Sequence, residues 1–169
     1  TLSNNTTGAG NTAMGFYAAR CNTTGLYNTA VGLCSLYSNV SGCYNTAFGH
    51  EAARVTTGNG NTALGDRSMY TNSTGTRNTA SGRCTMFYNT TGSNNTASGF
   101  GALKCNTTGC RNTATGQMSL MHNTTASCST ATGMYSLYSN TTGTRNTATG
   151  YFSLGDNTTG TCNTASGFY

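Results

Sequence analysis

The stretch Asn22-Thr-Thr-Gly-Leu-Tyr-Asn28-Thr-Ala-Val-Gly32-Leu-Cys-Ser-Leu36-Tyr-Ser38 decides the fold, because the chain repeats it from end to end. The unit is N-T-T-G-x-x-N-T-A-x-G-x-x, then a small residue, an apolar residue and two variable ones, a period of 17. The glycine closing N-T-A-x-G returns at Gly15, Gly32, Gly49, Gly65, Gly82, Gly99, Gly116, Gly133, Gly150 and Gly167. Every step is 17 residues except Gly49 to Gly65, which is 16. The missing residue lies near Val55–Thr56, where the other copies carry the first Asn. One further copy is irregular: after Asn123-Thr-Thr come Ala126 and Ser129 in place of Gly and Asn. A fixed short period is the signature of a solenoid, in which each copy packs only on its neighbours. No linker interrupts it, so residues 1–169 read as one continuous repeat domain.

A helical reading fails. The apolar residues keep no 3.6-residue period, and Thr, Asn and Gly disfavour helix interiors. The expectation is an all-β chain: a single β-solenoid, or β-roll, of ten 17-residue coils, each with two short strands and two turns. Alternate side chains of a strand face inward. The constant Ala of N-T-A (Ala13, Ala30, Ala47 and onward to Ala165) is then one inward column. Leu36, Met69, Met86, Leu103, Leu120, Leu137 and Leu154, with Ala19 and Ala53, form a second. The residue before each of these is always small, which suits a tight bend. Gly supplies positive-φ corners. The second Asn column, beginning Asn11, Asn28 and Asn45, is expected to pass amide hydrogen bonds from coil to coil.

Composition narrows the function. Charged residues are 7% of the chain, against roughly 25% in an ordinary soluble domain. The only acids are Glu51, Asp66 and Asp156, and the histidines are His50 and His122. Acid–base or nucleophilic catalysis has almost nothing to draw on, so no enzyme, cofactor or metal site is expected. No run of 18 apolar residues exists to span a membrane. The net charge of +5 comes from residues scattered singly, which implies no nucleic-acid patch.

The first Asn of the unit falls in N-x-(S/T) at Asn5, Asn22, Asn39, Asn72, Asn89, Asn106, Asn123, Asn140 and Asn157, with further matches at Asn4 and Asn94. These read as candidate glycosylation sites, and a regular glycan coat would keep a charge-poor rod dispersed. The alternative is that N-T-T-G is turn chemistry, Asn and Thr bonding their own backbone. Among eight cysteines, Cys110 and Cys128 stand at neighbouring phases of successive coils and are the disulfide candidates. Aromatics cluster after the second Gly, from Phe16 and Tyr17 through Tyr37, Tyr70 and Phe87 to Phe168 and Tyr169. They stack along the rod or form a lateral or sugar-binding surface. With Ala inward, its neighbours point outward: a Thr rank from Thr12 to Thr164, and a rank that is Met14, Val31, Phe48 and Leu64 before turning to Ser and Thr.

Units such as Asn22-Thr-Thr-Gly25 and Asn28-Thr-Ala-Val-Gly32 resemble the N-x-A-x-G repeats of trimeric autotransporter adhesin heads, and similar repeats of phage tail fibres and bacterial surface proteins. The resemblance implies a β-roll placed outside the cell or on a cell or virion surface, adhering or acting as a spacer. The hydroxyl ranks and N-T-A-x-G are also similar to the T-x-T faces and N-x-V-x-G unit of ice-binding β-solenoids, the grass β-roll among them. The repeat phase at Tyr169 is continued by Thr1, so joining tail to head leaves the pattern unbroken. Thr1, Leu2, Phe168 and Tyr169 are accordingly the expected joint of a head-to-tail homopolymer. A window of a longer repeat array accounts for the phase equally well. The leading expectation is a structural subunit of an extracellular fibre; the alternative is an adhesin head or an ice binder.

Overall fold

The computed structural model describes all of residues 1–169 and is all β, with no helix. Each N-T-A-x-G becomes one three-residue strand: β1 (Thr12–Met14), β2 (Thr29–Val31), β3 (Thr46–Phe48), β4 (Thr62–Leu64), β5 (Thr79–Ser81), β6 (Thr96–Ser98), β7 (Thr113–Thr115), β8 (Thr130–Thr132), β9 (Thr147–Thr149) and β10 (Thr164–Ser166). They pair in parallel and in sequence order as one 10-stranded sheet. The register stacks like on like, with Thr29 beside Thr46, Ala30 beside Ala47 and Val31 beside Phe48. The chain is a β-solenoid.

The second strand expected in each coil is absent. Ser35 and Leu36 both face inward at 0% exposure. Adjacent residues of an extended strand point to opposite faces, so no strand can bury both. The backbone turns Leu36 in by taking φ 48°, and Cys34 two residues before it takes φ 54°. This left-handed alternation recurs in the other coils, for example Cys84 and Met86. The corner still bonds coil to coil, with Cys34 N–H donating to the Phe16 carbonyl at 2.9 Å and Leu36 N–H to that of Ala52 at 3.0 Å. Only 18 of the 111 backbone hydrogen bonds lie within the strands, so cohesion comes from whole coils.

Five side chains of the coil 22–38 face inward, Asn22, Asn28, Ala30, Ser35 and Leu36, none more than 2% exposed. The Ala and Leu/Met columns merge into one core that runs from Ala18 to Ala148. It is thin, and polar side chains fill much of the interior. Burying amides without partners would be costly, so each needs its hydrogen bonds.

Two asparagine systems meet that need. In the N-T-T-G column the amides bond one another: Asn39 Nδ2 donates to Asn22 Oδ1 at 2.9 Å and Asn106 Nδ2 to Asn89 Oδ1 at 2.6 Å. Each Nδ2 also closes its own turn, as Asn106 does on the Gly109 carbonyl at 3.0 Å. The second column works differently from the expected amide ladder. Asn28 Oδ1 accepts the backbone N–H of Asn45 at 2.9 Å, and its Nδ2 donates to the Gly42 carbonyl at 2.7 Å.

The two glycines have different duties. The one closing N-T-A-x-G has positive φ, 126° at Gly32. The one in N-T-T-G does not; it is needed because a Cβ at Gly92 would press into Asn89 Oδ1 and the Gly109 carbonyl. Ala126 takes this place in the irregular coil, and the Asn140-to-Asn123 bond above it is stretched to 3.2 Å. In the 16-residue coil Thr56 stands fully buried where Asn would be, and Thr56 Oγ1 and Asn39 Oδ1 are left without partners.

Candidate assembly interface

The inter-coil bonds are directional, so the two ends of the rod differ. Along the body Thr23, Thr24 and Gly25 N–H groups point to the Val40 carbonyl of the next coil, and Thr29 N–H to that of Asn45. Asn39 Nδ2 points the other way, to Asn22 of the coil before. At the tail, Thr158, Thr159, Gly160 and Thr164 therefore hold donors with no coil to receive them, and Asn157 and Asn163 hold open Oδ1 acceptors. At the head, the Thr6 and Asn11 carbonyls and the Asn11 N–H are open in the matching positions.

The apolar columns are open at the same ends. Leu2, half-buried with φ 46°, continues the Leu column over Ala19 and packs on the core. The tail ends in an open cavity of about 490 Å³ lined by Leu154, Asn157, Ala165 and Phe168 among others. Thr1 is exposed, and Phe168 and Tyr169 are 77% and 82% exposed. Their rings extend two stacks of the rod, Phe168 on Tyr151 at 5.1 Å and Tyr169 on Phe152 at 5.1 Å.

The sequon asparagines are elsewhere than a glycan requires. Asn22, Asn39, Asn72, Asn89, Asn106, Asn123 and Asn140 are 0% exposed, and Asn157 is half-buried. Their Nδ2 atoms, the point of attachment, lie inside the coil, where each donates a hydrogen bond to its own turn. The expected glycan coat on this column has no accessible amide in the folded rod; N-T-T-G is turn and ladder chemistry. Asn4, Asn5 and Asn94 alone among the matches are exposed. The Cys110–Cys128 bridge is also absent, and all eight cysteines are free. The two are neighbours through a backbone bond, Cys128 N–H to the Cys110 carbonyl at 3.0 Å. Cys110 Sγ faces its own turn, against the Thr108 carbonyl at 3.3 Å.

Stacked side chains line the flanks. Arg20, Tyr37, Arg54, Tyr70 and Phe87 follow one another up one column. Arg20 bonds the Tyr37 hydroxyl and Arg54 that of Tyr70, each at 3.0 Å, while the Arg54 guanidinium lies between the two rings. Around the 16-residue coil His50, Glu51, Asp66, Arg67 and Arg83 form an ion-pair cluster, its shortest contacts His50 to Asp66 at 2.8 Å and Arg67 to Glu51 at 2.9 Å. The His50 hydrogen bond, aided by Arg83, holds the Asp66 carboxyl below the ordinary carboxylate range, with partial burial acting the other way. No three His, Cys, Asp or Glu side chains converge on a metal position. No helix is long and apolar enough to cross a membrane.

Sequence reasoning missed Tyr27 and Tyr44, which stack at 5.4 Å on the edge of the sheet face. With Met14 and Phe48, at 66% and 60% exposure, they make the first coils of that face apolar. No family model, curated protein or solved structure matches this chain.

Proposed function

We propose that this β-solenoid is the structural subunit of an extracellular fibre, lengthened by coils docking head to tail. The observation that supports the reading is that every coil presents donors on one side and the matching acceptors on the other, so a coil of a second copy can meet the pattern that joins each interior pair. Thr1 to Asn4 of a second copy complete the last coil, and Leu2 enters the cavity beside Leu154. Open strand edges invite such addition, and a joint of this kind repeats an interior step. The resemblance to adhesin-head and tail-fibre repeats supports the extracellular setting.

Sedimentation velocity of the 169-residue protein tests it. The native chain is expected to form long species whose size grows with concentration. Leu2→Asp places a charge in the joint and should return it to short rods. A single monomeric species of the native chain at high concentration overturns the reading. A second reading, ice binding, draws on β7, β8 and β9, which set two exposed Thr ranks in register.

A further inference from the structure

Three arginines far apart in sequence share one line in space. Arg77, Arg111 and Arg145 are 34 residues apart, two coils per step, each in the place just before the second Asn. All three are exposed at the edge of the sheet face. Their backbone is fixed coil to coil: the N–H groups donate to Asn59, Ser93 and Ser127 carbonyls at 3.0, 3.1 and 3.1 Å. Their guanidiniums have no partner in the molecule. The ion pairs use Arg54, Arg67 and Arg83, and Arg20 is spent on Tyr37. Two of the three acids, Glu51 and Asp66, belong to those pairs, and Asp156 follows the Leu column in the last coil, away from the sheet face. The row therefore faces no carboxylate. Beside it run two hydroxyl ranks, Thr96, Thr113, Thr130 and Thr147, then Ser98, Thr115, Thr132 and Thr149, all exposed.

Parallel coils rise about 4.8 Å each, so the guanidiniums recur every ~9.6 Å over a row of about 19 Å. We propose that this row binds an extended acidic polysaccharide lying along the rod, with each guanidinium taking one uronate carboxylate and the Thr and Ser hydroxyls meeting the sugar hydroxyls. Arginine's rigid fork matches a carboxylate in two parallel hydrogen bonds. A ribbon-like sugar chain turns alternate residues to the same edge, so its carboxylates recur every second sugar as the arginines recur every second coil. One exposed pair is weak, but a polymer engages all three together. A nucleic acid fits worse. Its phosphates recur about every 3.4 Å along each strand of a duplex, far denser than the row. In the arginines' own column the rings, Tyr27 and Tyr44, lie towards the other end, and Asn94 and Cys128 stand between the arginines, so no ring interleaves with them for bases to stack on. One rod carries the whole row, so the proposal stands apart from end-to-end assembly.

Affinity electrophoresis and calorimetry with β-1,4-linked mannuronate oligomers, a neutral β-1,4-glucan oligomer and an oligothymidylate test it. Uronate binding is expected, fading as salt screens it, with neither of the other two polymers competing. Arg111→Gln should weaken it about two- to fivefold, and the triple variant Arg77→Gln, Arg111→Gln, Arg145→Gln about ten- to a hundredfold. Arg20→Gln, Arg83→Gln, Lys104→Gln removes the same charge from other faces and should stay within about twofold of native, each variant first checked for native circular dichroism. Equal losses in both triples, no loss in the first, or oligothymidylate binding as tight as uronate would overturn the proposal.

Discussion

The buried asparagines tie coil to coil and also make the rod vulnerable. Removing the Asn106 side chain strands Asn89 Oδ1, since the 2.6 Å bond between them is the one that rung makes in that direction. Asn106→Ala should cost about 2–3 kcal/mol, read as a lowered melting temperature. The natural gap allows the reverse test. Thr56→Asn supplies the amide that Asn39 Oδ1 lacks and should stabilise by about 1 kcal/mol. A variant that melts lower would show that the shortened turn cannot seat an amide. Thiols report the same inside–outside division. Burial pushes the Cys105 thiol up, while Cys128 and Cys162 are exposed. At neutral pH a maleimide should label Cys128 and Cys162 well before Cys105. The sequon reading turns on this division. A tripeptide motif does not say which way its Asn faces, and here the facing decides. A signal was present: the column holds Asn in nearly every coil, whereas outward places such as those of Tyr27, Arg77 and Cys128 vary freely.

One strand and one left-handed corner build each coil, and they tolerate different changes. Gly92→Ala drives a Cβ into Asn89 Oδ1 and the Gly109 carbonyl and should cost about 1–3 kcal/mol. Gly101→Ala should cost less, about 1 kcal/mol, the left-handed backbone strain alone with no clash added. Its φ of +65° is one that Cys34, Glu51 and Cys84 adopt at the same place in their coils, and its nearest neighbour would be Met118 Cγ at 3.6 Å. Equal losses at the two glycines, seen in denaturant titrations, would contradict this division of duties. The strand was readable because Ala between two outward residues is plain alternation. The corner was hidden, because two adjacent inward residues such as Ser35 and Leu36 break alternation and demand a conformation that Leu seldom takes. The sheet face itself changes character along the rod. Only β7, β8 and β9 are T-A-T, and the first four strands end in Met14, Val31, Phe48 and Leu64. Ice-crystal faceting and thermal hysteresis should therefore be absent at micromolar protein; clear faceting, lost on enlarging Thr132 and Thr149, would promote the ice-binding reading.

The rod should be nearly indifferent to acid, because the chain has only three carboxylate side chains. Asp66 binds its proton less tightly folded than unfolded, so its contribution is full above the ordinary carboxylate range and fades as pH falls through the lowered value. Its side chain is 39% exposed, which limits the effect to under about 1 kcal/mol. Melting curves of the native chain and Asp66→Asn should differ slightly at pH 7 and draw together as pH falls below the ordinary carboxylate range; a gap that widens in acid would contradict the assignment. The period made the stacking of coils legible, down to the place of the missing residue beside Thr56. It concealed the arginine row, since charges 34 residues apart look isolated until the coils are stacked. Assembly is the claim on which the functional account rests, and electron micrographs of the purified 169-residue chain, with their computed diffraction, test it most directly. The account predicts thin unbranched filaments with a strong layer line near 4.8 Å and no break in the coil stack at the joints. Dispersed single rods about ten coils long, at any concentration, would contradict it.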